Sequence, residues 1–175
     1  MKIRINRIYG NADFTIGIAT IDGYKFRAYS LERRSADHSK ASNKRNNHAF
    51  PCGEYKYKYE ATRLSPMTPV SYLLKGFGRL SITDASSYDM LGTGQIALFH
   101  KYPQEGHVVA GGEDNRIYKA LENLCYADSA NKASSDNLFI ITEADEFYYD
   151  EEWSMKHEPL FEDDDFIDEE YEVPE

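Results

Sequence analysis

The sequence predicts an α+β, β-rich domain: a twisted, mostly antiparallel sheet or half-barrel with one packed helix. Three observations predict it. Short runs with period-2 alternation recur along residues 1–142. One segment, 114–126, carries an apolar stripe at helical spacing. The chain also holds 14 tyrosines, which suit strands because the ring packs while the hydroxyl reaches water.

Residues 2–9 alternate Ile3, Ile5 and Ile8 with Lys2, Arg4 and Arg7, with one slip, and read as a strand. Runs 14–21 and 24–31 read as two more. Asp22-Gly23 between them reads as a two-residue hairpin turn, whose central residues need positive φ. Residues 33–48 are basic and polar without apolar periodicity. They read as a solvated loop, with a docking face for an anion or for the acidic tail as the alternative.

After Pro51-Cys52-Gly53 comes the cleanest strand pattern. Tyr55, Tyr57 and Tyr59 share one face, and Lys56, Lys58 and Glu60 the other. Further strands are expected near 70–75, 78–83 and 95–100, with a tight turn at Gly76 and Gly78. Gly92-Thr93-Gly94 lacks the lysine and the following helix of a phosphate-binding loop. In the helix, capped by Asp114 or Asn115, Ile117, Leu121, Leu124 and Cys125 form one stripe. Leu138–Thr142 reads as a buried strand.

Charge divides the chain in two. Residues 143–175 hold 16 acidic residues against the single Lys156, a net −15, whereas residues 1–142 carry +5. The expected organisation is therefore a β-rich domain, 1–142, and an acidic C-terminal extension, 143–175. Seven aromatics, from Phe147 to Tyr171, are spread through that acid, which is unlike pure disorder, and a short helix is expected near 145–155. The extension reads in three ways: as a solubilising tail, as a segment folded over the basic body, or as a protein-binding element that fills a partner's basic groove. Direct nucleic-acid binding is not expected, because the extension repels phosphate. The N-terminus enters a strand without an apolar signal core, and no apolar run reaches the ~20 residues of a membrane span. The expectation is a cytoplasmic protein with no membrane partner, or one carried with a virion or delivered by a dedicated machine.

The chemical candidates cluster between Gln95 and Gly112. His100 ends the 95–100 run, Glu105 lies in the loop after it, and His107 follows Gly106. Histidine titrates near neutrality and so suits acid/base work. Three readings stay open: His100 orients or deprotonates a reacting group, the two histidines and Glu105 hold a metal, or all three are ordinary loop residues. The six residues between the histidines match no standard zinc spacing, so no metal and no cofactor are assigned. Neither Cys52 nor Cys125 has a neighbouring histidine, and both read as isolated thiols.

Pro51-x-Gly53-x-Tyr55 entering a strand, after Ser30-Leu31-Glu32 and an N-terminal hairpin, resembles an uncharacterised domain family of bacteria and their phages. Typical members end a strand in His-x-Gly-Asn and continue to Gly-Cys-Ile. That signature is similar to the catalytic motif of L,D-transpeptidases (YkuD-like), in which a cysteine is acylated by a peptidoglycan stem peptide. The resemblance covers roughly residues 1–142 and implies an L,D-transpeptidase-like fold. His100 matches the family histidine, but Tyr102-Pro103 replaces Gly-Asn, and Gly106-His107-Val108 stands where Gly-Cys-Ile is expected. Imidazole does not carry the acyl-thioester intermediate, so the chemistry is expected to be lost. The resemblance implies a catalytically degenerate domain with a binding, structural or accessory role, and a peptidoglycan peptide as its ligand. Two rivals stand beside it: a cell-wall peptide hydrolase using His100 and His107, and an inhibitor or assembly factor working through the acidic extension.

Overall fold

The structure is a computed structural model in which residues 1–34, 49–60, 70–74, 78–84, 95–99, 116–129 and 137–156 are described. Eight strands among them form a barrel: β1 (Lys2–Gly10), β2 (Phe14–Ile21), β3 (Arg27–Arg33), β4 (Gly53–Glu60), β5 (Val70–Leu74), β6 (Gly78–Asp84), β7 (Gln95–Phe99) and β8 (Leu138–Tyr149). Helix α1 (Arg116–Ser129) lies between β7 and β8, and α2 (Glu151–Lys156) follows β8. The β-rich α+β class is thus the one observed. The sheet curls further than a half-barrel, in the order β1-β2-β3-β7-β6-β5-β4-β8, and closes where β8 meets β1. Six of the eight pairings are antiparallel; β1/β8 and β6/β7 are parallel. Closure pairs each of the eight strands with a neighbour on both sides over part of its length.

Alternation along seven of the strands places side chains in the interior. Ile3 and Ile5 of β1, Ala19 and Ile21 of β2, Ala28 of β3, Tyr55 and Tyr57 of β4, Leu80 and Ile82 of β6, Ile96 and Leu98 of β7, and Phe139 and Ile141 of β8 form one core. Eight strands enclose a space that side chains of this size can fill. Helix α1 adds Tyr118, Leu121 and Cys125 to this core, with Ile117 and Leu124 packed at its margin. The predicted stripe is therefore the packed face, and Tyr118 joins it. The caps Asp114 and Asn115 lie outside the described residues, as do the expected turn at Gly76, the loop 35–48 and the Gly92-Thr93-Gly94 segment.

A second apolar cluster lies on the outer face of β2, β3 and β7, where Phe14, Ile16, Leu31, Ala97 and Phe99 are buried. Trp153 of α2 belongs to it. Its ring meets Phe14 edge-on at 5.6 Å between centroids, and its Nε1 donates to Asp13 Oδ2 at 3.1 Å. Tyr148 of β8 packs against Tyr9, and the Tyr9 hydroxyl donates to Asp150. The acidic extension thus begins as barrel strand and continues as a docked helix; the change of composition at Glu143 falls within β8. Only α2 is helical in the 145–155 region, because residues up to Tyr149 pair with β1.

Two local expectations change. The β2–β3 connection is longer than two residues: Thr20 pairs with Arg27, and Tyr24 N donates to Ile21 O at 3.1 Å. Gly23 supplies the positive φ, +82°, that an L side chain rarely adopts. On β1, Arg7 lies on the inward face with Ile3 and Ile5, and the slip in the pattern is a bulge between Arg7 and Tyr9. The alternation had placed Arg7 among the polar, outward residues.

Candidate functional site

His100, Glu105 and His107 lie outside the described residues, as do Tyr102 and Pro103. What is described is the strand that leads to them and the two ends of the barrel. Because each strand's direction follows from its pairing, Phe99 ends β7 at the same barrel end as Met1 and the β2–β3 turn. The opposite end carries Arg7, Glu32 and the start of β4 at Gly53.

At this opposite end a buried ion pair closes the interior. Arg7 Nε donates to Glu32 Oε2 at 3.0 Å and Nη2 to Oε1 at 2.8 Å, a two-pronged match of planar groups. Arg7 Nη2 also donates to the Phe50 carbonyl at 2.7 Å, and Nη1 reaches Cys52 Sγ at 3.7 Å. The backbone explains how Arg7 gets across. Its Cα pairs with Gly17 of β2, which pairs in turn with Ser30 of β3, beside Glu32. A Cβ on Gly17 would lie 2.8 Å from Ser30 Oγ and 2.9 Å from Asn6 O, so the missing side chain leaves the path open. Thr15 Oγ1 and Ser30 Oγ nearby are buried without a hydrogen-bond partner. The Pro51-x-Gly53-x-Tyr55 segment lies over this end, tied down by the Tyr55 hydroxyl donating to Pro51 O at 2.5 Å.

The two thiols are not joined in a disulfide. Cys125 is 1% exposed in the core beneath α1, and Cys52 is exposed at the Arg7 end. Among the described residues, no group of three His, Cys, Asp or Glu side chains is placed to hold a metal ion. No described helix is long and apolar enough to cross a membrane.

The described surface has an open cleft of about 550 Å³ at the α1 end. One wall is the β2–β3 turn, Tyr24 to Arg27, and the other is α1. Phe26, Ile117, Ala120 and Leu124 give it an apolar floor, and Lys25, Arg27 and Arg116 give it a cationic rim. No carboxylate is among its described lining residues. Tyr24, 52% exposed, stands at its edge. The nearest acid of the turn, Asp22, is already engaged: Arg4 Nε and Nη2 donate to its two oxygens at 2.7 and 2.8 Å. That contact holds the Asp22 carboxyl below its ordinary range and raises Arg4. Sequence reasoning found α1 and the turn but not the cleft, because their proximity is a product of barrel closure.

No protein-family model, curated protein or solved structure matches this chain.

Proposed function

We propose that this chain is a binding domain without turnover, a catalytically degenerate relative of the L,D-transpeptidase-like proteins it resembles. The observation that carries the reading is the position of the two sulfurs. The resemblance asks for a thiol shortly after His100, the residue that follows β7, whose last residue Phe99 lies at the Met1 end of the barrel. Cys52 is at the opposite end, held against Arg7, and Cys125 is shut in the core. A reactive thiolate needs an accessible, electropositive setting, which Cys125 lacks. Cys52 has the guanidinium but lies at the barrel end opposite Phe99, the last residue of β7.

The α1 cleft is the surface that supports binding. A basic rim over an apolar floor suits a peptide with carboxylates and small apolar side chains, and a peptidoglycan stem peptide has that chemistry. The test has two arms with the full chain. Co-sedimentation with purified sacculi should retain the protein, and incubation with stem tetrapeptides should release no terminal D-alanine. Release or exchange that disappears in His107→Ala would overturn the reading in favour of the hydrolase.

A further inference from the structure

We propose that the α1 cleft is also the docking site of the chain's own acidic segment, residues 157–175, which thereby competes with the external ligand. The inference rests on the binding reading of the same cleft and adds its regulation. Charge complementarity is the first argument. Lys25, Arg27 and Arg116 line the cleft, with no carboxylate among its described lining residues, and the segment contains 10 acidic residues and no Lys or Arg. Apolar complementarity is the second. Phe161, Phe166 and Tyr171 recur every five residues through that acid, and the floor of Phe26, Ile117, Ala120 and Leu124 offers them a surface. A purely charged tail would gain little from exposed lysines and arginines, whose pairing is worth about 0–1 kcal/mol each; an aromatic anchor adds apolar burial.

Reach is the third argument. Helix α2 is fixed on the outside of β2 near its first residue by Trp153, at the barrel end opposite the cleft. Strands of seven to nine residues make that journey roughly 25–30 Å at about 3.3 Å per residue. The segment has 19 residues and spans up to about 60 Å when extended. Tethering at that length gives an effective concentration on the order of millimolar, so a weak contact suffices for occupancy.

The experiment uses the full chain with a specific protease site inserted between Lys156 and His157, cut after folding and separated from its own segment in high salt. A fluorescent peptide of residues 157–175 is then titrated by anisotropy. The cut protein should bind it saturably, and the uncut chain about tenfold more weakly because its own segment competes. Affinity should fall about tenfold between low and high salt. It should fall at least as much in Lys25→Glu/Arg27→Glu/Arg116→Glu, whose Trp153 emission reports whether the fold is intact. A peptide with Phe161→Ser and Phe166→Ser provides the same test without altering the domain, and should also bind about tenfold more weakly. Equal binding by cut and uncut chains, or indifference to both the cleft and the peptide substitutions, would overturn the proposal. So would a concentration-dependent dimer of the uncut chain, which would make a second copy the occupant. Retention on sacculi is scored separately. Cutting should increase it, and retention without peptide binding would sink the regulation while sparing the binding reading.

Discussion

Arg7 and Glu32 meet inside the barrel, 25 residues apart in sequence, with side chains 0% and 2% exposed. A paired buried charge is tolerated, but a widowed one is not. Arg7→Met or Glu32→Leu alone should destabilise the domain by about 3–5 kcal/mol, because each leaves its partner's charge in the interior. The double substitution should recover most of that loss. Urea denaturation of the three variants checks it; additive losses would mean the pair is not coupled.

Trp153 is the chain's single tryptophan, so its emission reports the docking of α2. Trp153→Ala removes the edge contact with Phe14 and the hydrogen bond to Asp13, at a cost of about 2–3 kcal/mol, less than for a fully buried tryptophan. Asp13→Ala should red-shift the emission while leaving far-ultraviolet circular dichroism unchanged.

Much of this fold was legible in the sequence. Eight strand-like runs and the α1 stripe were, because alternation and helical spacing follow directly from which face is buried. Arg7 misled for a physical reason. A guanidinium satisfied by a carboxylate can occupy an inward position, and a one-residue bulge hides the change of face. The extension misled likewise. Its acid suggests a separate tail, yet Glu143 and Asp145 are part of a strand that the parallel pairing with β1 carries on to Tyr149. The cleft was illegible because the turn at 24–27 and α1 are far apart in sequence, and closure of the barrel brings them together.

Gly17 should be intolerant of even one methyl group. Gly17→Ala drives Cβ against Ser30 Oγ and the Asn6 carbonyl, and backbone cannot yield cheaply, so a loss of about 1–3 kcal/mol is expected by thermal or urea denaturation. Gly23→Ala meets no atom within 4 Å, and its smaller cost comes from the positive φ alone.

The Arg4–Asp22 pair gives a pH signature. Arg4 lowers the Asp22 pKa in the folded state, so the pair stabilises the fold above the unfolded aspartate pKa of about 3.9 and the contribution fades as pH falls through the depressed folded value. Both side chains are over two-fifths exposed, so the effect is small and screened by salt. Carboxyl resonances should show Asp22 titrating below a free aspartate, and Arg4→Gln should move it up. An unchanged midpoint would exclude the contact in solution.

The account stands most directly on the fate of the two thiols. Intact-protein mass spectrometry after incubation with peptidoglycan stem tetrapeptides measures it. The expected result is an unmodified mass in a sample that is nonetheless retained on sacculi. An acyl adduct mapped to Cys52 or Cys125, lost again with hydroxylamine, would contradict the account.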